Sequence, residues 1–188
     1  MNTQDEAVPL VTGEELAALR SEIVQAQQMG SDFLKWKLIG AASVASLGLG
    51  LGTSSRLVPA DASFLICLIP LICAYVDLAR LDLVVRVVSI ARFLSISGDR
   101  YEQFVDSLRE SPDKPFRFAT IAVHLSSAAM NVLIVGAGMY GCRNEWPKLR
   151  VDAFITVGLL GLAVTVLLWW KHDSIIKTIS KYNPKPSI

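Results

Sequence analysis

Arg117, His124 and Asn131 stand seven residues apart in RFATIAVHLSSAAMN, and Gly138 follows one step further on. On an α-helix that spacing drifts by only about 20° per step, so the four positions share one face. Thr120 and Ser127 flank the same stripe, while the remaining positions are mostly Phe, Ile, Val, Ala, Leu and Met. Three kinds of chemistry suit such a set: hydrogen bonds joining packed helices, a polar lining for an ion path, or proton exchange at the imidazole of His124. An unpaired polar group in hydrocarbon costs several kcal/mol, so the stripe must face protein or water rather than lipid.

Asp77 is the other ionisable residue of interest, three positions before Arg80. The i, i+3 spacing predicts an Asp77–Arg80 ion pair near a membrane edge. A second reading couples Asp77 to His124 as a proton or cation relay, and Pro70 is the one clear break that a discontinuous transport helix would use. No metal-ligand spacing, nucleophile elbow, P-loop or dinucleotide fingerprint appears, so neither a metal nor a cofactor is expected.

These residues lie in a chain of 188 residues that is 52% hydrophobic, with a mean hydropathy of +0.45. A membrane protein is the class this composition favours. Residues 38–55, 62–79, 118–140 and 152–170 form four windows with almost no charge. At about 1.5 Å per residue, each is long enough for a hydrocarbon core of roughly 30 Å. Arg20, Lys35 and Lys37 precede the first window, seven basic residues from Arg80 to Arg117 separate the second and third, and four lysines follow the fourth. Only Arg56, Arg143, Lys148 and Arg150 fall on the other side, which predicts cytoplasmic termini and a cytoplasmic central segment. Trp36, Trp146, Trp169 and Trp170 lie near window ends, as an aromatic belt requires. The acidic start MNTQDEAVPLVTGEE carries no basic n-region, so a cleaved secretory signal is not expected. Cys67, Cys73 and Cys142 make no disulfide framework, although Cys142 could pair between subunits.

The expected architecture is all-α: a four-helix transmembrane bundle with a cytoplasmic arm (1–37), a first hairpin (38–79), a cytoplasmic helical segment (80–117), a second hairpin (118–170) and a tail (171–188). Thr12 to Glu15 reads as a capping box that starts the arm helix, and Leu16, Leu19, Ile23 and Ala26 give it a modest apolar stripe. No proline interrupts the arm before Trp36, so it can run on into the first span. Leu83, Val87, Ile90 and Leu94 form an apolar face opposite Asp82, Arg86 and Ser89, which predicts packing against another helix. Arg80, Arg86 and Arg92 are six apart, so each is turned about 120° from the last and the three make no single cationic face. Small-residue stripes for helix packing occur at Gly48 and Gly52, and again at Gly158 and Gly161.

Two resemblances bear on function. Arg117 and His124 fit the loose R-x(4-6)-H pattern of HEPN-type ribonucleases, but His124 lies about 10 Å deep in a lipid-length helix, where RNA cannot reach, so no enzyme and no nucleic-acid partner is expected. The segments KWKLIGAASVASLGLGLG and LICLIPLICAYVDLARLDLVVRVVSIARFL, a hairpin followed by a long helix issuing from its second span, resemble the SMODS- and SLOG-associating two-transmembrane effectors of bacterial defence operons. The resemblance covers a little over half of the chain, and the second hairpin departs from it. It implies an oligomeric pore- or channel-like effector of the bacterial inner membrane, surrounded by lipid and triggered by a cytoplasmic protein. Arg117, Thr120, His124, Ser127 and Asn131 are then the candidate pore stripe. A secondary transporter subunit using Asp77 and His124, and a non-conducting scaffold, are the alternatives.

Overall fold

The computed structural model describes residues 12–49, 60–97, 99, 101–103, 105, 117–144 and 146–181. These residues form helices joined by turns, and no strand occurs among them. Helix α1 is Gly13–Gly48, a 3-10 segment covers Ala60–Leu68 and leads into α2 (Ile69–Ile96), and α3 (Arg117–Arg143) and α4 (Lys148–Lys181) complete the set.

Thr12 starts α1 as its sequence predicts. Its hydroxyl accepts from the Glu15 backbone N–H at 3.3 Å, and its own N–H donates to the Glu15 carboxylate at 2.9 Å. Those bonds satisfy two donors that a helix start would otherwise leave open. They also hold the Glu15 carboxyl below its ordinary value, the backbone bond first and the hydroxyl second. The helix then runs unbroken for 36 residues through Gly30. Pro70 lies in the first turn of α2, where its missing N–H costs no helical bond, and the chain before it winds as a 3-10 helix.

Three helical stretches are long and apolar enough to cross a membrane: Ser63–Ile96, Thr120–Arg143 and Lys148–Ile179. The expected first span, 38–55, lies partly outside the described residues, and the described part of α1 does not meet that standard. Helix α4 continues through 171–181, where a tail was expected. The central core joins Ala41 of α1, Ile66 of the 3-10 segment, Ile69 and Cys73 of α2, Ile134 of α3 and Phe154 of α4. Many large apolar side chains face outward instead, among them Leu71, Leu133, Leu160 and Trp170. That distribution suits lipid contact, since apolar side chains need burial only from water.

Helix α1 packs against α2. Leu16, Leu19 and Ile23 are half-buried and Ala26 is buried, and Leu83, Ala91 and Leu94 of α2 are buried as well. Beyond the end of α2, Arg20 donates to Asp99 at 2.8 Å. Asp99 also accepts from the backbone N–H groups of Tyr101 and Glu102, in the manner of a helix N-cap. Desolvation works against the Asp99 carboxylate, but those two N–H groups and Arg20 outweigh it and hold its pKa below the ordinary value.

Because the folded value is depressed, the Asp99 contribution is complete above the unfolded carboxylate pKa of about 4 and is lost as pH falls through the lower folded value. We expect Asp99→Asn to weaken the contact by about 1 kcal/mol at neutral pH. Hydrogen exchange in α1 around Arg20 should accelerate in this variant, and acidification of the wild type should give the same pattern.

Candidate functional site

The structure assembles the polar residues of the spans into one buried cluster, and its centre is a residue that hydropathy places outside the membrane. Lys37, on α1, is 0% exposed. Its ammonium donates to Asp77 of α2 at 2.9 Å, to Ser126 of α3 at 3.1 Å, to the Val123 carbonyl at 3.3 Å, and to Ser127. Ser127 in turn donates to the second oxygen of Asp77 at 2.5 Å. Both carboxylate oxygens are therefore engaged, and the ion pair joins three helices.

This corrects two expectations. Asp77 is ion-paired, but its partner is Lys37 rather than Arg80. Lys37 is a buried residue of α1 and not an exposed flanking charge. The physical reason is reach: a long lysine side chain on a neighbouring helix puts its ammonium directly on the carboxylate and two hydroxyls. Arg80 instead lines a cleft beside the pair, with its Nη1 buried and unpartnered.

The heptad stripe of α3 faces the interior of this same chain. Thr120 is half-buried, while His124, Ser127, Asn131 and Gly138 are buried. Arg117 opens α3, and its side chain lies outside the described residues, as does Gly52. His124 stacks on Trp169 with ring centroids 6.0 Å apart, and meets His172 edge-on at 5.9 Å. One turn beyond Ser127, Asn131 donates to Thr165 of α4 at 3.3 Å, and Thr165 donates to the Gly161 carbonyl at 2.9 Å.

Glycine makes the Asn131 contact possible. A Cβ on Gly161 would strike the Asn131 amide and lie 2.9 Å from Pro70 of α2, while one on Gly158 would lie 2.6 Å from Val135. The predicted Gly158/Gly161 stripe thus packs against α3. Gly48 is buried near the end of α1.

Sequence reasoning missed three participants. Lys37 was masked by its neighbours Lys35 and Trp36, which read as a membrane flank. His172 follows the Trp169–Trp170 pair, where an apolar window ends, and nothing local marks it as interior. Trp169 reads as a belt residue but lies over His124, whereas Trp36, 65% exposed, fits the belt position. Trp146 packs against Gly141, Phe154 and Arg150.

No group of three or more metal-ligating side chains occurs among the described residues. The cluster is chemically a charge lock with an adjacent imidazole pair. Comparison with family models, curated proteins and solved structures gives no match for this chain.

Removing one charge of the Lys37–Asp77 pair leaves the other buried and uncompensated, which generally costs about 3–5 kcal/mol. Lys37→Met and Asp77→Leu should each lower the unfolding midpoint in detergent strongly, while the double variant should recover most of the loss. Strictly additive losses would show that the two groups do not act as a pair. Gly161→Ala should cost about 1–3 kcal/mol by overpacking the α3–α4 contact, read as a lower midpoint in the same assay.

Proposed function

We propose that this chain is a membrane-embedded, channel-like effector whose resting state is held closed by the Lys37–Asp77–Ser127 lock. The observation that carries this reading is the burial of an ion pair between α1 and α2, bridged by the Ser127 hydroxyl of α3. Ionisable groups at membrane depth are expensive, and they characteristically sit where a membrane protein moves ions or changes state.

The position of the stripe refines the reading. Ser127 and the Asn131 amide N–H bond within the chain, and both residues are buried in it, so a path using them would open inside one bundle rather than between subunits. Opening would require α1 to part from α2 and α3, which separates Lys37 from Asp77 and lets water reach the stripe. Helix α1 carries both Lys37 and Arg20, so a protein partner gripping its polar half could drive that movement. In this proposal the outward apolar residues meet lipid or further copies of the chain, and the setting is the bacterial inner membrane. Ion coupling through Asp77 and His124 has less support, because the Asp77 charge is already paired with Lys37 and both its oxygens accept hydrogen bonds within the bundle.

Membrane potential during induced expression tests the proposal. At matched insertion levels, Lys37→Met should depolarise cells because it leaves Asp77 unpaired. The wild type and the Lys37→Met/Asp77→Leu double variant should leave the potential intact. A single-charge variant that inserts normally and leaves the potential unchanged would defeat the lock reading and favour a non-conducting scaffold.

A further inference from the structure

The cleft beside the lock holds polar atoms that no side chain answers. It has a volume of about 30 Å³ and is lined by residues that include Arg80, His124 and His172. Arg80 Nη1, His124 Nδ1 and His172 Nδ1 are all buried and lack a hydrogen-bond partner among the described residues. Both imidazole side chains are more than nine-tenths buried. A guanidinium keeps its charge at any ordinary pH, so a buried N–H of Arg80 without an acceptor carries a heavy desolvation penalty.

Neither nearby acid accepts from Arg80 Nη1. Asp77 lines the cleft too, but its two oxygens accept from Lys37 and Ser127 and its charge is balanced by Lys37. Asp173 stands 4.0 Å from His172 Nδ1, beyond hydrogen-bond length. What the cleft lacks is an acceptor within hydrogen-bond reach of Arg80 Nη1.

We infer that this cleft is a binding site for a phosphate group, held by Arg80 with His124 and His172 as the flanking donors. A guanidinium fork matches the oxygens of a phosphate, and a charged acceptor gives the strongest bonds available to it. The cavity has room for about two water-sized atoms, so one or two phosphate oxygens enter and the rest of the ligand remains at the mouth. Leu81 and Val84 make part of the wall apolar, which suits an acyl-bearing headgroup as well as a free anion. The site does not depend on whether the bundle conducts.

The test uses the full chain in phosphatidylcholine nanodiscs, in phosphate-free buffer, with the thermal unfolding midpoint as readout. Inorganic phosphate is titrated in one arm, and phosphatidic acid is doped into the discs in the other. A rise with inorganic phosphate assigns a soluble anion, and a rise with doped discs alone assigns a lipid headgroup. Either response should disappear in Arg80→Gln and require at least tenfold more ligand in His172→Phe. Without ligand, Arg80→Gln should unfold no earlier than wild type, because it removes a buried charge that has no acceptor. No shift with either probe, or an equal shift in Arg80→Gln, would overturn the assignment.

Discussion

An ammonium group cannot remain in a dry helix junction unless its hydrogens and its charge are both answered, and this requirement organises the bundle around Lys37. Asp77 supplies the countercharge, and Ser126, Ser127 and the Val123 carbonyl supply the remaining acceptors. Those acceptors come from α2 and α3, so the position of one α1 side chain fixes the register of both helices. A one-turn slip of about 5.4 Å along any of the three would leave the charge without its partners. Apolar replacement of a buried ion pair is often neutral or stabilising, so a gain in stability alone does not account for keeping it. Register, and the possibility of a second register, is what an ion pair supplies and an apolar contact does not.

Helix α3 distributes that constraint. Ser127 turns toward α1 and α2, and Asn131, one turn later, turns toward α4. The α4 contact depends on small residues rather than charge, since Gly158 and Gly161 let the backbones approach until a Cβ would no longer fit. Not every glycine serves this end: Gly30 and Gly136 have open space where a Cβ would go. Gly158 and Gly161 of α4 lie against Asn131 and Val135 of α3, and Gly138 of α3 lies against Phe154 and Ile155 of α4, so both helices give up side-chain volume at this interface, while Gly141 makes room for Trp146.

The helical elements were legible because their signals are local. The Thr12 capping box, the unbroken arm and the inward face of α3 all follow from spacings within a few turns. The same holds for the alternation along α2, where Leu83 and Leu94 are buried and Asp82, Arg86 and Ser89 are exposed. The site was less legible because its decisive contacts are between helices. Asp77 has a plausible partner three residues away in Arg80, and only tertiary packing brings the more distant Lys37 onto its carboxylate. His172 illustrates the same limit: its polar neighbours Lys171 and Asp173 read as the end of a span, yet α4 continues and turns the imidazole inward.

The placement of charge on α1 bears on how a signal could travel. Arg20 and Lys37 are both on this helix and are separated by about 25 Å of continuous backbone, and both pair with acids on or just beyond α2. One contact has a half-exposed arginine and the other is dry, so the outer contact is the easier one to exchange for a partner's side chains. The helix between the two points is unbroken and holds no proline, so in the proposed gating a displacement at Arg20 would be carried along it to Lys37. Under the proposed gating, the buried pair would hold against small displacements and lose its several partners together once α1 moved far enough. In the proposed gating, the stiff connector and the multiply bonded contact together form the two-state element, and no flexible hinge is needed between Arg20 and Lys37.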